Sequence, residues 1–399
     1  MDLAPLRGLR FDPESLAAVG ARGEDVTAPP YDVISSEEHQ ALLDRSPYNI
    51  TRLTLGSEPG AVSDYEERVR LLESWQSSGV LAREKEPLFY AYRIDYTVPG
   101  TTTAAHFVGL VALGRLHAFE EGVVLPHEQT FPKVVEERYQ LLSKTQTHLE
   151  SIFLLYADSK GAVDEILGRA VEGDPLLRVE AKLGEFHSLH PVSSPAELDT
   201  LRELFRRQRP IIADGHHRYT MGLRHKNEAG AGVAGADWQL MTFANLYGDG
   251  LSILATHRLV KLRSGAAAGA MTTLSERLEA GSSAAWDLCV ETAEGRSYFV
   301  FPADLRSARE GAARTDYALL HDVVLGAWLR DEVAEVSYFK ERTGEAEAMR
   351  DGRGDLLFRM QPVDREEFQQ VVEAGEVFPH KTTYFYPKLW SGLVLWSLE

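Results

Sequence analysis

Apolar and polar positions alternate through PLFYAYRIDYTV (residues 87–98) and AAHFVGLVALGRL (104–116). Period two with aromatic and β-branched residues predicts a pair of strands joined by a Gly-Thr turn. Elsewhere the period lengthens. Residues 64–77 read as an amphipathic helix. From Lys133 onward Val135, Tyr139, Leu142 and Leu149 recur at spacings of four, three and seven, which predicts another helix. Ser35 or Ser36 can cap a helix begun by Glu37 and Glu38. SIFLLYAD (151–158) reads as a buried strand, 162–172 and 196–208 as helices, and EFHSLHPV (185–192) as a short strand between them. Next, Pro210 ends a helix, Ile211-Ile212-Ala213 is a short apolar strand, Asp214-Gly215 a turn, and His216 to about Asn227 a helix. QLMTFANLYG (239–248) and LSILATHRLVKL (251–262) predict further strands. SGAAAGA (264–270) interrupts the pattern and suggests a boundary, giving a core over 1–270 and a C-terminal α+β region over 271–399. In that region a hairpin (286–302), a helix (315–330), strands near 335–340 and 355–362 and a helix (363–374) are expected. Strands and helices in mixed order point to an α+β or mixed α/β fold.

Composition narrows the function classes. The 399 residues are 44% hydrophobic, enough for a sizeable core, and 60 acidic against 42 basic residues give a net charge of -18. Nucleic-acid binders displace counterions with basic surface, so no nucleic-acid partner is expected. Small anionic ligands are held by local donors, and net charge does not weigh against them. The one cysteine, Cys289, lies in an alternating segment and reads as a strand residue rather than a nucleophile. No apolar run approaches the roughly 20 residues a membrane span needs, and the N-terminus lacks a signal-peptide pattern. A cytoplasmic protein with no membrane partner is the expectation.

Candidate chemistry concentrates in IADGHHRY (212–219). A strand–turn–helix junction exposes unpaired N–H groups at the helix start, and Gly215 lets an anion approach the backbone. Arg218 adds a forked donor, and His216 and His217 add more. Adjacent histidines point to different faces and do not readily share one metal, so an anion cradle is favoured over a metal site or plain packing. Asp214 is suited to capping the helix, orienting a histidine or facing Mg²⁺. In LPHEQTFPK (125–133), Glu128 stands beside a proline as a fixed carboxylate suited to general-base work, or is an ordinary loop residue. His257 and Arg258 in LATHRLV offer a grip on a carboxylate. APPYDVI (28–34) reads as a structural turn or a ligand contact. HKTTYFYPK (380–388) reads as an aromatic core strand, or as part of a substrate pocket through Lys381 to Lys388.

Together APPYDVIS, VLPHEQT, ERYQLL, IADGHHRY, THRLV and TYFYPKL resemble the bacterial and archaeal family first catalogued as domain of unknown function number one thousand and fifteen. DGHHR also resembles the phosphate box of the ParB/sulfiredoxin superfamily, in particular of archaeal free-serine kinases. The resemblance implies a ParB/sulfiredoxin-like mixed α/β core with additional elements. It also implies a kinase that phosphorylates the hydroxyl of free L-serine from ATP, or from ADP, with Mg²⁺. Carried over, Glu128 matches the catalytic base, Asp214, Gly215, His216, His217 and Arg218 the nucleotide-phosphate box, and His257 with Arg258 the substrate grip. The chain departs from the family pattern at Gln129 and His380. Two rival expectations share the same box: a nucleotide-binding regulator of the ParB type, and a kinase or phosphatase acting on another small hydroxyl compound. No Walker-type loop is present.

Overall fold

The computed structural model describes residues 1–59, 64–99, 101–128, 130–182, 184–229, 233–263, 265, 267–340, 344–379 and 381–398. Gln129 and His380 lie outside these residues, as do parts of the Gly-Thr turn and of the SGAAAGA segment. The chain forms two compact units, Met1–Pro126 with Thr130–Leu251 and Pro387–Glu399, and His127–Gln129 with Ser252–Tyr386.

The first unit is built on an eight-stranded mixed sheet. Its strands are β1 (Leu3–Ala4), β2 (Phe89–Thr97), β3 (Ala104–Arg115), β4 (Ile152–Tyr156), β5 (Leu177–Lys182), β6 (Glu185–Val192), β7 (Ile211–Asp214) and β8 (Trp238–Asn245). They lie in the order β7-β4-β8-β3-β2-β6-β5, with β1 pairing β3 just beyond the end of β2. Only β4 and β8 pair in parallel among the described strands. The predicted hairpin forms, with Tyr90 opposite Val111 and Thr97 opposite Ala104. β4 is buried at every position, as a continuous apolar run requires.

Six longer helices accompany the sheet: α1 (Ser36–Arg45), α2 (Tyr65–Ser77), α3 (Pro132–Thr145), α4 (Ala162–Ala170), α5 (Pro195–Phe205) and α6 (His216–Ala229). Ser35 caps α1 by accepting the Glu38 N–H, and Asp64 caps α2 through Glu67. Val163, Ile166 and Leu167 of α4 and Leu201 and Phe205 of α5 share one core with Leu110, Leu154, Ile212 and Phe243 of the sheet. A second core gathers Leu42, Leu72 and Trp75 with Leu141, Leu149 and Leu395. Leu149 belongs to this core without being helical. α3 stops at Thr145, and Gln146 takes a left-handed conformation at φ 48°.

The second unit centres on a six-stranded antiparallel sheet. It comprises β9 (Thr256–Leu262), β10 (Glu279–Ala280), β11 (Leu288–Thr292), β12 (Gly295–Val300), β13 (Val333–Lys340) and β14 (Leu356–Met360), in the order β10-β12-β11-β14-β9-β13. β9 sits between β13 and β14 in this sheet. The units therefore part at Leu251/Ser252 rather than near residue 270, and Pro387 onward rejoins the first unit instead of ending the C-terminal region. Cys289 is a buried strand residue of β11. Burial pushes its thiol pKa up, which suppresses the nucleophilic thiolate.

Candidate functional site

The predicted box folds as a strand–turn–helix junction. The β7–β4 pairing shifts register between Ile212 and Asp214, which turns the strand end out of the ladder. Gly215 follows at φ 96°. A Cβ there would lie 3.0 Å from Arg218 Nε and 3.1 Å from its Cζ, so glycine serves both the left-handed backbone and the arginine folded against it. The helix α6 begins at His216, and the Tyr219 N–H donates to the Gly215 carbonyl at 2.9 Å. The N–H groups ahead of that bond are the donors a helix start offers to an anion.

Charge is packed tightly behind this turn. Lys388 Nζ donates to Asp214 Oδ2 at 2.7 Å, and Arg218 Nη2 stands 3.6 Å from Asp214 Oδ1. Arg218 is 8% exposed. Its Nη1 donates to the Ser151 carbonyl at 2.6 Å, while Nε is buried without a hydrogen-bond partner. Burial opposes the charge on Arg218, but Glu150 and Asp214 outweigh it and raise its pKa. Glu150 is buried and accepts from Ser391 Oγ at 2.6 Å. Burial also opposes ionisation of Asp214, yet Lys388 and Arg218 hold its carboxyl below the usual range. Asp32 keeps solvent contact, but the protein around it and the charge of Asp214 push its carboxyl up. Tyr31 is raised to about 12, chiefly by burial, and its ring carries the Arg138 guanidinium at 4.1 Å.

The two histidines differ. His216 is buried, and His217 is half-buried with its imidazole pKa lowered by burial and then by Arg218. His217 Nε2 accepts the Phe131 N–H at 3.0 Å, and the two rings stack with centroids 5.9 Å apart and 17° between planes.

The other predicted residues belong to the second unit. His127 is buried, its Nε2 lies 2.9 Å from Thr383 Oγ1, its carbonyl accepts the Phe378 N–H at 3.2 Å, and its ring meets Phe368 and Phe385. This anchoring fixes the adjoining Glu128, whose side chain is 20% exposed. Arg258 is fully buried. Nε donates to His321 Nε2 at 3.0 Å, Nη1 to the carbonyl and hydroxyl of Thr256 at 2.8 and 2.7 Å, and Nη2 to the Lys381 carbonyl at 3.0 Å. Burial lowers its pKa to about 10, with Tyr317, Tyr338 and Glu128 acting in the opposite direction. His257 is buried too, accepts the Met360 N–H at 3.3 Å, and is lowered to about 4 by burial and then Arg359. The pair expected to grip a carboxylate is thus already engaged with the protein. Arg258 spends its fork on protein acceptors, and His257 is a neutral core residue.

The structure thus gathers Asp214, Gly215, His216, His217 and Arg218 and adds Lys388, Asp32 and Glu150. Lys388 and Asp32 sit in YPKL and PYDV, two stretches conspicuous enough to single out but whose patterns do not reveal a charge partner. Glu150 carries no local signal. Among the described residues no group of three or more His, Cys, Asp or Glu is arranged to hold a metal ion. No described helix is long and apolar enough to cross a membrane.

No curated protein matches the chain. Distant likenesses exist among solved structures. A conserved hypothetical protein from Pyrococcus furiosus is 13% identical, with 69% of this chain and 90% of that one covered at a TM-score of 0.36. A free serine kinase in complex with AMP is 14% identical (71% and 92% covered, TM-score 0.37). SbnI with C-terminal truncation from Staphylococcus aureus is 15% identical (70% and 84%, TM-score 0.38). A family model described as "Protein of unknown function (DUF1015)" matches residues 3–324, most of the chain, and the protein belongs to that family.

Proposed function

We propose that this protein transfers a phosphoryl group from a nucleotide, ATP or ADP, to the hydroxyl of free L-serine, with Mg²⁺. The observation that carries the reading is the start of α6: a left-handed glycine, a helix N-terminus and a buried Arg218 whose Nε has no partner. Phosphoryl transfer asks a protein chiefly for charge neutralisation and alignment, and such a junction supplies the first. His216 and His217 add donors around the phosphates, while Lys388 and Arg218 keep Asp214 ionised.

Glu128 takes the proton step. Its carboxylate removes the serine hydroxyl proton as the oxygen bonds to the terminal phosphorus, and the phosphorus–oxygen bond to the nucleotide breaks to release ADP from ATP, or AMP from ADP. The anchored His127 beside Glu128 gives it the fixed placement a general base needs. Mg²⁺ is commonly held by one or two carboxylates plus phosphates, and Asp214 with the neighbouring Asp32 would supply those carboxylates. Bound there, the ion would neutralise phosphate charge.

The test is phosphoserine formation from ATP and, separately, ADP, comparing wild type with Glu128→Gln. The expected result is product from the wild type and a loss of about 100-fold or more in the variant. Nucleotide binding without turnover would instead identify a regulator, and turnover on another hydroxyl compound alone would correct the acceptor.

A further inference from the structure

Phe131 is a large apolar side chain with 50% of its surface exposed. Single exposed hydrophobics are ordinary on protein surfaces. Phe131 differs in how it is held. It is the N-cap residue of α3, followed by Pro132 at the first helical position, and no side-chain bond caps that helix. Its backbone N–H is spent on His217 Nε2, which places the imidazole proton on Nδ1. Its ring lies nearly parallel to the His217 ring.

The contacts between α3 and α6 climb in the same direction along both helices. Phe131 meets His217, Glu136 pairs with Arg224, and Tyr139 meets Arg224 and then His225. The two helices therefore run parallel and start at the same end. A half-exposed aromatic ring is thus fixed beside the first turn of the helix that carries the proposed phosphate box.

We propose that Phe131 is the stacking platform for the base of the nucleotide whose phosphates the Asp214–Arg218 turn receives. The inference rests on the nucleotide reading above and adds the part of the ligand that phosphate contacts cannot recognise. A nucleotide joins a polyanion to a planar aromatic base. The start of α6 suits the first and Phe131 the second. Stacking on an aromatic side chain tolerates different bases, and loss of one stacked base typically weakens binding by about 5- to 150-fold. A phosphorylated compound without an aromatic ring would gain nothing from Phe131.

The experiment measures binding of ATP and of inorganic tripolyphosphate by calorimetry to the full chain as wild type, Phe131→Leu and Phe131→Tyr. The expected result is ATP binding weakened about ten-fold or more in Phe131→Leu, tripolyphosphate binding unchanged within about two-fold, and ATP binding restored in Phe131→Tyr. ATP binding equal in wild type and Phe131→Leu overturns the platform while leaving the nucleotide reading in place. Equal weakening of both ligands also overturns it, because Phe131 would then act only by placing His217. A wild type that binds neither ligand overturns the nucleotide reading and the platform together.

Discussion

Lys388 and Asp214 lie 174 positions apart in the chain and meet through a 2.7 Å charged hydrogen bond. Both side chains are largely buried, at 16% and 19% exposure, so the pair is screened less than a surface ion pair. Replacing Lys388 by methionine leaves Asp214 facing Arg218 at 3.6 Å. The expected loss of stability is about 1.5–3 kcal/mol at neutral pH, read from urea unfolding. The pH dependence has a definite sign. A carboxyl depressed in the folded state stabilises above the ordinary carboxylate range, about pH 4, and that contribution fades as pH falls through the depressed value. The gap between wild type and Lys388→Met should be full above about pH 4 and narrow below it; a gap that widens on acidification would contradict the pairing. At this scale the sequence shows which residue types are present but not their long-range partners. Arg258 illustrates the same limit. A histidine–arginine pair in a strand looks available, and only the fold shows the guanidinium spent on Thr256, His321 and Lys381.

Among the secondary-structure elements, glycines separate two kinds of position. Gly215→Ala puts a side chain at φ 96° and within 3.0 Å of Arg218 Nε, and should cost about 1–3 kcal/mol. Gly168 lies within α4, where an added Cβ would meet nothing inside 4 Å, so Gly168→Ala should gain about 0.5–1 kcal/mol. Thermal unfolding of both variants checks the contrast, and a stabilised Gly215→Ala would refute the account of the turn. Elements with a long period or a clear cap are legible in the sequence: α2 behind Asp64, the hairpin of β2 and β3, and the junction of β7 with α6. Others are not. β5 alternates over only six residues, too few to tell from a charged loop, and it becomes a strand by pairing with β6. Residues 315–330 read as an ordinary helix, yet Leu319–Trp328 is π-helical, with the Leu329 N–H reaching the Val324 carbonyl. Apolar periodicity does not distinguish i+4 from i+5 bonding over ten residues.

Across the whole molecule, the charge balance and the candidate site pull in different directions. A net charge of -18 repels polyanions at a distance, while the cations near Asp214 act locally. The protein should pass unretained over immobilised heparin at physiological salt and still bind ATP under the same conditions. Heparin retention with weak ATP binding would favour a polyanion-binding role. Fold class is legible from the alternation of elements, and the division of the chain is not. The composition break at 264–270 runs into a helix that begins at Ala267, whereas a unit boundary follows from which strands pair. β9 lies before the small-residue stretch at 264–270 but pairs with β13 and β14 after it.

The return of Pro387 onward to the first unit has a consequence for synthesis. Chains emerge from the ribosome N-terminus first, and domains generally fold as they appear. Here the large sheet, the box and α6 emerge early. Their remaining pieces follow only after the whole of Ser252–Tyr386 has been made: Lys388 for Asp214, Ser391 for Glu150 and Leu395 for the second core. During that interval Glu150 and Asp214 wait without these partners. The first unit is the earlier to begin and the later to finish, and the second unit can be complete in the nascent chain before the candidate phosphate site exists.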